Sequence, residues 1–127
     1  MKLLIADDDR ALSLLLSTRL RAKGWTIDVA HDAMQALMFA MRSAPDAIML
    51  DIAMPGGTGI DALKKLKMSA KTTQIPVVVL SGSIEPKDEP NVLALGAAAF
   101  VRKPPDIDAL HETLLRVAGA PATEPAR

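Results

Sequence analysis

A single α/β domain, with a parallel five-stranded sheet between two layers of helices, is the fold this sequence predicts. Short apolar runs alternate five times with longer amphipathic stretches. All but the second of the runs are continuously apolar, as strands covered on both faces are. The length of 127 residues supplies one core and not two.

The elements follow in order along the chain. Leu3–Ala6 reads as a buried strand. Asp9 or a neighbour caps a helix to about Lys23, with Leu12, Leu16 and Leu20 every fourth residue and Leu15 beside them, forming an apolar stripe. Gly24 stops it, and Trp25–Ala30 alternates as a second strand. Asp32 caps a helix to about Ser43 that carries Ala36, Leu37, Ala40 and Met41 inward. Pro45 separates it from the strand Ala47–Leu50. A Pro- and Gly-rich loop from Asp51 to Gly59 overlaps the start of a third helix, Thr58 to Met68, with Ile60, Leu63 and Leu66 inside. Ile75–Leu80 is the most β-branched run and the fourth strand. Pro86 and Pro90 break the next segment, leaving a short helix from Pro90 to Leu95 that Gly96 ends. Ala98–Val101 is the fifth strand, and Asp106 to Val117 the last helix, with Ile107, Leu110, Leu114 and Val117 on one face. Residues 1–118 are thus one domain, and 119–127 a frayed tail too short to hold an output region.

Composition narrows the function. Lys plus Arg equals Asp plus Glu, 15 against 15, so there is no electrostatic footprint for nucleic acid or an anionic membrane. Without cysteine, thiol chemistry is excluded. His31 and His111 share no ligand spacing and are expected in solvent. No apolar run approaches the ~20 residues of a membrane span. The N-terminal run is too short for a signal peptide and is followed by acids. A cytoplasmic monomer is expected, with its seven methionines filling gaps in the core.

In such a sheet the functional groups gather at the carboxyl ends of the strands. Those ends carry Asp7-Asp8-Asp9, Asp51, Ser81 and Arg102-Lys103-Pro104, while the second strand ends in His31-Asp32 and belongs at an edge. Two like charges 4 Å apart repel by roughly 4 kcal/mol at an effective dielectric near 20, so the acids need a proton or a cation. Hard oxygen ligands suit Mg²⁺, which completes its octahedron with water and a phosphate. A lysine and a hydroxyl beside it suit the equatorial oxygens of a phosphoryl group. A carboxylate is a competent acceptor for that group.

From Lys2 to about Val117 the chain resembles the receiver domain of two-component response regulators. The matching stretches are Leu3-Leu4-Ile5-Ala6-Asp7-Asp8-Asp9, then Met49-Leu50-Asp51-Ile52-Ala53-Met54-Pro55-Gly56, then Gly59. Val78-Val79-Leu80-Ser81-Gly82, Gly96-Ala97 and Phe100-Val101-Arg102-Lys103-Pro104 complete them. The resemblance implies a flavodoxin-like (βα)5 fold, doubly wound, with strand order 2-1-3-4-5. It implies that Asp51 is the phosphoacceptor and also a metal ligand, and that Asp8 binds Mg²⁺ (or Mn²⁺) directly. Asp7 would hold a metal-bound water, and the Ala53 backbone carbonyl would be the third protein oxygen on the metal. Ser81 would bond a phosphoryl oxygen, Lys103 would pair with the phosphoryl group, and the Lys103-Pro104 bond would be cis. Phe100 would be the aromatic that moves inward as Ser81 shifts. The implied partners are a histidine kinase or histidine phosphotransfer protein and an unidentified downstream protein, with neither nucleic acid nor membrane.

Several residues depart from the family pattern. Phe100 stands where Tyr is common, so no hydroxyl ties the ring outward and it is expected further in. Ala53 and Ser83, two beyond Asp51 and Ser81, cannot activate a water, so slow loss of the phosphoryl group is expected. Pro86 and Pro90 disturb the region that is the usual partner surface. Plainer roles compete: Asp9 and Ser81 as caps, Asp7 and Asp8 at a helix dipole, Asp51 as a turn residue, Phe100 as core. Leu14 lies off the apolar stripe, as a lone exposed leucine or part of a phosphodonor dock. Two other functions compete as well. A haloacid-dehalogenase-type phosphohydrolase would want Thr or Val at the end of Asp-x-Asp-x-Thr, where Asp7-Asp8-Asp9-Arg10-Ala11 has Ala, and would leave Asp51 idle. A receiver that binds partners without phosphorylation would leave the whole acidic set without a task.

Overall fold

The computed structural model describes residues 1–52, 59–82 and 89–119. Five strands and five helices alternate among them. They are β1 (Lys2–Ala6), α1 (Arg10–Ala22), β2 (Thr26–Ala30), α2 (Ala33–Ser43), β3 (Ala47–Asp51), α3 (Gly59–Met68), β4 (Val77–Ser81), α4 (Glu89–Ala94), β5 (Ala99–Arg102) and α5 (Ile107–Ala118). All four pairings are parallel, in the order β2-β1-β3-β4-β5. The predicted flavodoxin-like architecture is therefore the observed one, with β2 at an edge.

Two cores flank the sheet, and the period-two alternation of each strand assigns its side chains between them. Leu4, Ala6, Ile48, Leu50, Val77 and Val79 face one core, against α2, α3 and α4. Leu3, Ile5, Ala47, Met49, Val78 and Leu80 face the other, against α1 and α5. Every residue of β3 and β4 is buried. Each large side chain so enclosed contributes about 1.5–3 kcal/mol. Asp9 caps α1 by accepting the Leu12 amide at 3.0 Å, and Asp32 caps α2 by accepting the Gln35 amide at 2.8 Å. Ala44 closes α2 in the left-handed region at φ 47°.

The structure corrects several expectations. Asp51 and Ser81 are the last residues of their strands and not the first beyond them. The short fourth helix begins at Glu89, which puts Pro90 second. Leu15 and Met41 are 47% and 48% exposed: on α1 the buried face is taken by Ser13 and Ser17 beside Leu16 and Leu20, and on α2 by Ala33, Ala36 and Ala40. Among the described methionines only Met49 is buried, whereas Met1, Met34, Met38, Met41 and Met68 are exposed. Continuous strands of Leu, Ile and Val already fill the two cores and leave no gaps for flexible side chains. Leu14 is exposed, as expected. Neither histidine is free in solvent. Trp25 Nε1–H donates to His111 Nδ1 at 2.9 Å, and His31 Nδ1 lies 3.2 Å from the Asp7 carbonyl. Ala53, Ser83, Pro86 and residues 120–127 lie outside the described residues.

Candidate functional site

β1 and β3 are hydrogen-bonded neighbours in the middle of the sheet, with Ala6 in register with Leu50. The next residue of each strand path is an aspartate, so Asp7 and Asp51 stand side by side at the carboxyl rim. Both are almost wholly buried, at 1% and 4% exposure, and Asp8 beside them is open to solvent. One carboxylate oxygen from each of Asp7, Asp8 and Asp51 falls within 4.8 Å of the others.

On the far side of Asp51, β4 and β5 bring up the remaining groups. Asp51 is in register with Leu80, which puts the buried Ser81 one step beyond it. The Lys103 amide donates to the Ser81 carbonyl at 3.0 Å, extending the β4–β5 ladder past its last paired residues. That bond aims the lysine back over the rim. Lys103 Nζ is 2.9 Å from Asp7 Oδ2 and 3.5 Å from Asp51 Oδ2. Burial alone would lower the Lys103 ammonium, but hydrogen bonding and attraction from Asp7, then Asp51, outweigh it and hold the group above its ordinary value. The Lys103–Pro104 peptide bond is cis, as expected.

Asp7 is pinned from several directions. Its amide donates to the Ala30 carbonyl at 3.0 Å, and its Oδ1 accepts the Asp9 amide at 2.9 Å. Its carbonyl has the Ser13 hydroxyl at 3.4 Å and His31 Nδ1 at 3.2 Å. Oδ2 is different: it is buried, and beyond the ionic contact with Lys103 no hydrogen bond is aligned on it among the described residues. Three carboxylates facing one ammonium also leave the rim with excess negative charge. Opposite ligands of an Mg²⁺ octahedron stand about 4.2 Å apart, close to the spread of these oxygens. The residues present therefore fit a hard divalent cation held by Asp7, Asp8 and Asp51.

Sequence reasoning missed His31 and Ser13. His31 follows β2 at the step that pairs with Asp7, since Ala6 is in register with Ala30. With the strand order known, that position already places it at the rim. Ser13 lies on the buried face of α1, one turn in from Asp9. Phe100 is half-buried on β5 against the core of α2–α4, with the Arg102 guanidinium carbon 5.7 Å from its ring centre. A cation at this distance over the ring is a favourable contact.

A family model described as the response regulator receiver domain matches residues 3–115. The transcriptional regulatory protein CpxR of Klebsiella pneumoniae is 40% identical over 103 residues, covering 81% of this chain and 43% of its own length. The response regulator PleD of Caulobacter vibrioides is 37% identical over 105 residues, covering 83% of this chain and 23% of its own length. The chain thus spans less than half of these relatives. Among solved structures, the chemotaxis protein CheY4 of Vibrio cholerae superposes with a TM-score of 0.85 at 29% identity, covering 91% of this chain and 97% of that one. The receiver domain of the Francisella response regulator 1452 does so with a TM-score of 0.86 at 28% identity, covering 94% and 98%.

Proposed function

Because the chain belongs to the response regulator receiver domain family, we propose that it is a phosphoacceptor switch in which Asp51 receives a phosphoryl group from a phosphohistidine. The observation that carries this reading is the buried Asp51 carboxylate, set between the acids of β1 and the Lys103 ammonium 3.5 Å away. A carboxylate oxygen of Asp51 forms the new bond to phosphorus as the bond from phosphorus to the donor imidazole breaks, and a proton returns to that imidazole. Lys103 and the Ser81 hydroxyl take up charge on the equatorial oxygens. Asp7, Asp8, Asp51 and the Ala53 carbonyl would hold Mg²⁺ or Mn²⁺, which when bound supplies the remaining neutralisation of charge. Ala53 and Ser83 offer no acid or base toward an attacking water, which favours slow loss of the phosphoryl group. Ser81 and Phe100 are the switch pair of this reading. The donor is a histidine kinase or a histidine phosphotransfer protein, and the signal passes on by contact with a further protein. A donor charged from ATP makes the cytoplasm the working compartment. No helix among the described residues is long and apolar enough to cross a membrane.

The test is intact mass after incubation with Mg²⁺ and acetyl phosphate. A metal-dependent gain of one phosphoryl group in the wild type and none in Asp51→Asn is the expected result. A gain that survives Asp51→Asn moves the acceptor elsewhere on the rim. No gain in a wild type that binds the metal leaves a binding module that works unphosphorylated.

A further inference from the structure

Four of the exposed methionines stand on α2 and α3, while Met1 lies against Gly119 at the end of α5. Met34, Met38 and Met41 stand a turn apart on α2 and are 71%, 46% and 48% exposed. Met68, at the end of α3, is 83% exposed. The two flanks of α2 can be told apart. Phe39, Arg42 and Ser43 line a cavity with Asp28 of the edge strand, so the opposite flank, with Met34 and Met41, looks toward α3. On α3, Lys67 reaches the Thr73 and Ile75 carbonyls, and its stem lies against Gly96, just past α4. The opposite flank, with Lys65 and Met68, therefore looks back toward α2.

The charges around this face are one-sided in a chain that is neutral overall. Lys64, Lys65 and Lys71 are exposed, and among the described residues none of them makes an ion pair. The neighbouring acids are engaged: Asp32 caps α2, Asp46 accepts the Lys2 amide at 2.7 Å, and Asp61 has a partner of its own.

We propose that the α2–α3 face docks an amphipathic helix of a partner protein, its apolar stripe lying on Met34, Met38 and Met41 and its acidic flank on Lys65 and the neighbouring Lys64 of α3. Unbranched, polarisable methionine side chains repack around a helix laid along them. The uncompensated cations select acidic flanks and reject basic ones. A second copy of this chain is a poor occupant, because a two-fold contact through this face would set the same cations against each other. A lipid surface suits it less well, because a helix lying in a membrane interface carries several cations on its own polar face and α2 has only Arg42.

The probe is a synthetic helical peptide with leucines at i, i+3, i+4 and i+7 and glutamates on both flanks, together with a twin that has lysines for glutamates. Titrated into the isotopically labelled full chain, the glutamate peptide shifts amides of α2 and α3. It binds at least about tenfold tighter than its twin at low salt, and the gap narrows as salt rises. Met38→Glu with Met41→Glu abolishes that binding and leaves both Trp25 emission and phosphoryl uptake unchanged. Absence of binding, equal binding of the two peptides, or shifts confined to another face overturns the proposal. A dimer formed through this face, or binding to anionic vesicles in preference to the peptide, overturns it equally.

Discussion

Gly59→Ala separates two physical effects of opposite sign. As the first residue of α3, a glycine replaced by alanine gains up to about 1 kcal/mol of helix propensity. The structure opposes this gain, because α3 starts directly on the backbone of the proposed phosphoacceptor. A Cβ at Gly59 would overlap the Asp51 carbonyl oxygen and Ile52 Cα, and would lie 2.8 Å from the Ile52 carbonyl carbon. Carbon atoms pack comfortably at about 3.5–4.0 Å, so helix and strand end must separate by roughly 1 Å. Overpacking of this kind costs about 1–3 kcal/mol. The separation also weakens the hydrogen bond from the Gly59 amide to the Ile52 carbonyl, 2.9 Å long, for about another 1 kcal/mol. The net expectation is a loss of about 1–3 kcal/mol, measured by urea denaturation. A drop in phosphoryl uptake from acetyl phosphate accompanies it, because the Asp51 carboxylate is displaced from Lys103. An alanine variant as stable and as reactive as the wild type would refute the claim that this contact sets the acceptor's position.

Other substitutions test other parts of the fold. Lys103→Met leaves the buried Asp7 carboxylate without its counter-ion and costs about 1–3 kcal/mol, reduced from a fully buried pair because the lysine is partly exposed. The lysine is held above its ordinary 10.5, so its contribution is complete below that pH and is lost as pH rises through the higher folded value. Denaturation of the two proteins from pH 7 to 11 therefore shows a constant difference that shrinks only beyond about 10.5. His111→Phe strands the indole N–H of Trp25 and costs about 1–3 kcal/mol, with a change in the emission of this single tryptophan as the local readout. Ala44→Gly relieves a left-handed residue at φ 47° and raises stability by about 1 kcal/mol in the same denaturation assay.

Where hydrophobic pattern decides the structure, the sequence was a good guide. Apolar runs marked four of the strands and alternation marked the edge strand β2, so all five were legible, and the rim acids, Ser81 and Lys103 followed from their places at strand ends. The errors share a different cause. Ser13 and Ser17 are buried because their hydroxyls find backbone carbonyls, Ser13 that of Asp7 ahead of the helix and Ser17 that of Leu14 one turn back, which an apolar stripe does not encode. The partners of His31 and His111 come from elements 24 and 86 residues away, and only the assembled sheet and helices bring them together. The methionines of α2 have the period of a helix, but their side of it is set by Ala33, Ala36 and Ala40, small residues that let the helix sit close on the sheet.

The placement of Asp7 and Asp51 on adjacent strands has a thermodynamic consequence. Neighbouring strands run about 4.8 Å apart, so the spacing between the two acids is fixed by the main-chain ladder and not by a loop that closes on demand. Their mutual repulsion is then a standing cost of the native state, offset by the cores beneath, and a bound cation relieves it without first having to gather its ligands. For these two carboxylates assembly is settled when the chain folds, and little ordering entropy of their own remains to oppose cation capture. Opening this part of the rim means breaking the central strands, so the Asp7 and Asp51 amides should exchange with solvent about as slowly as the core itself.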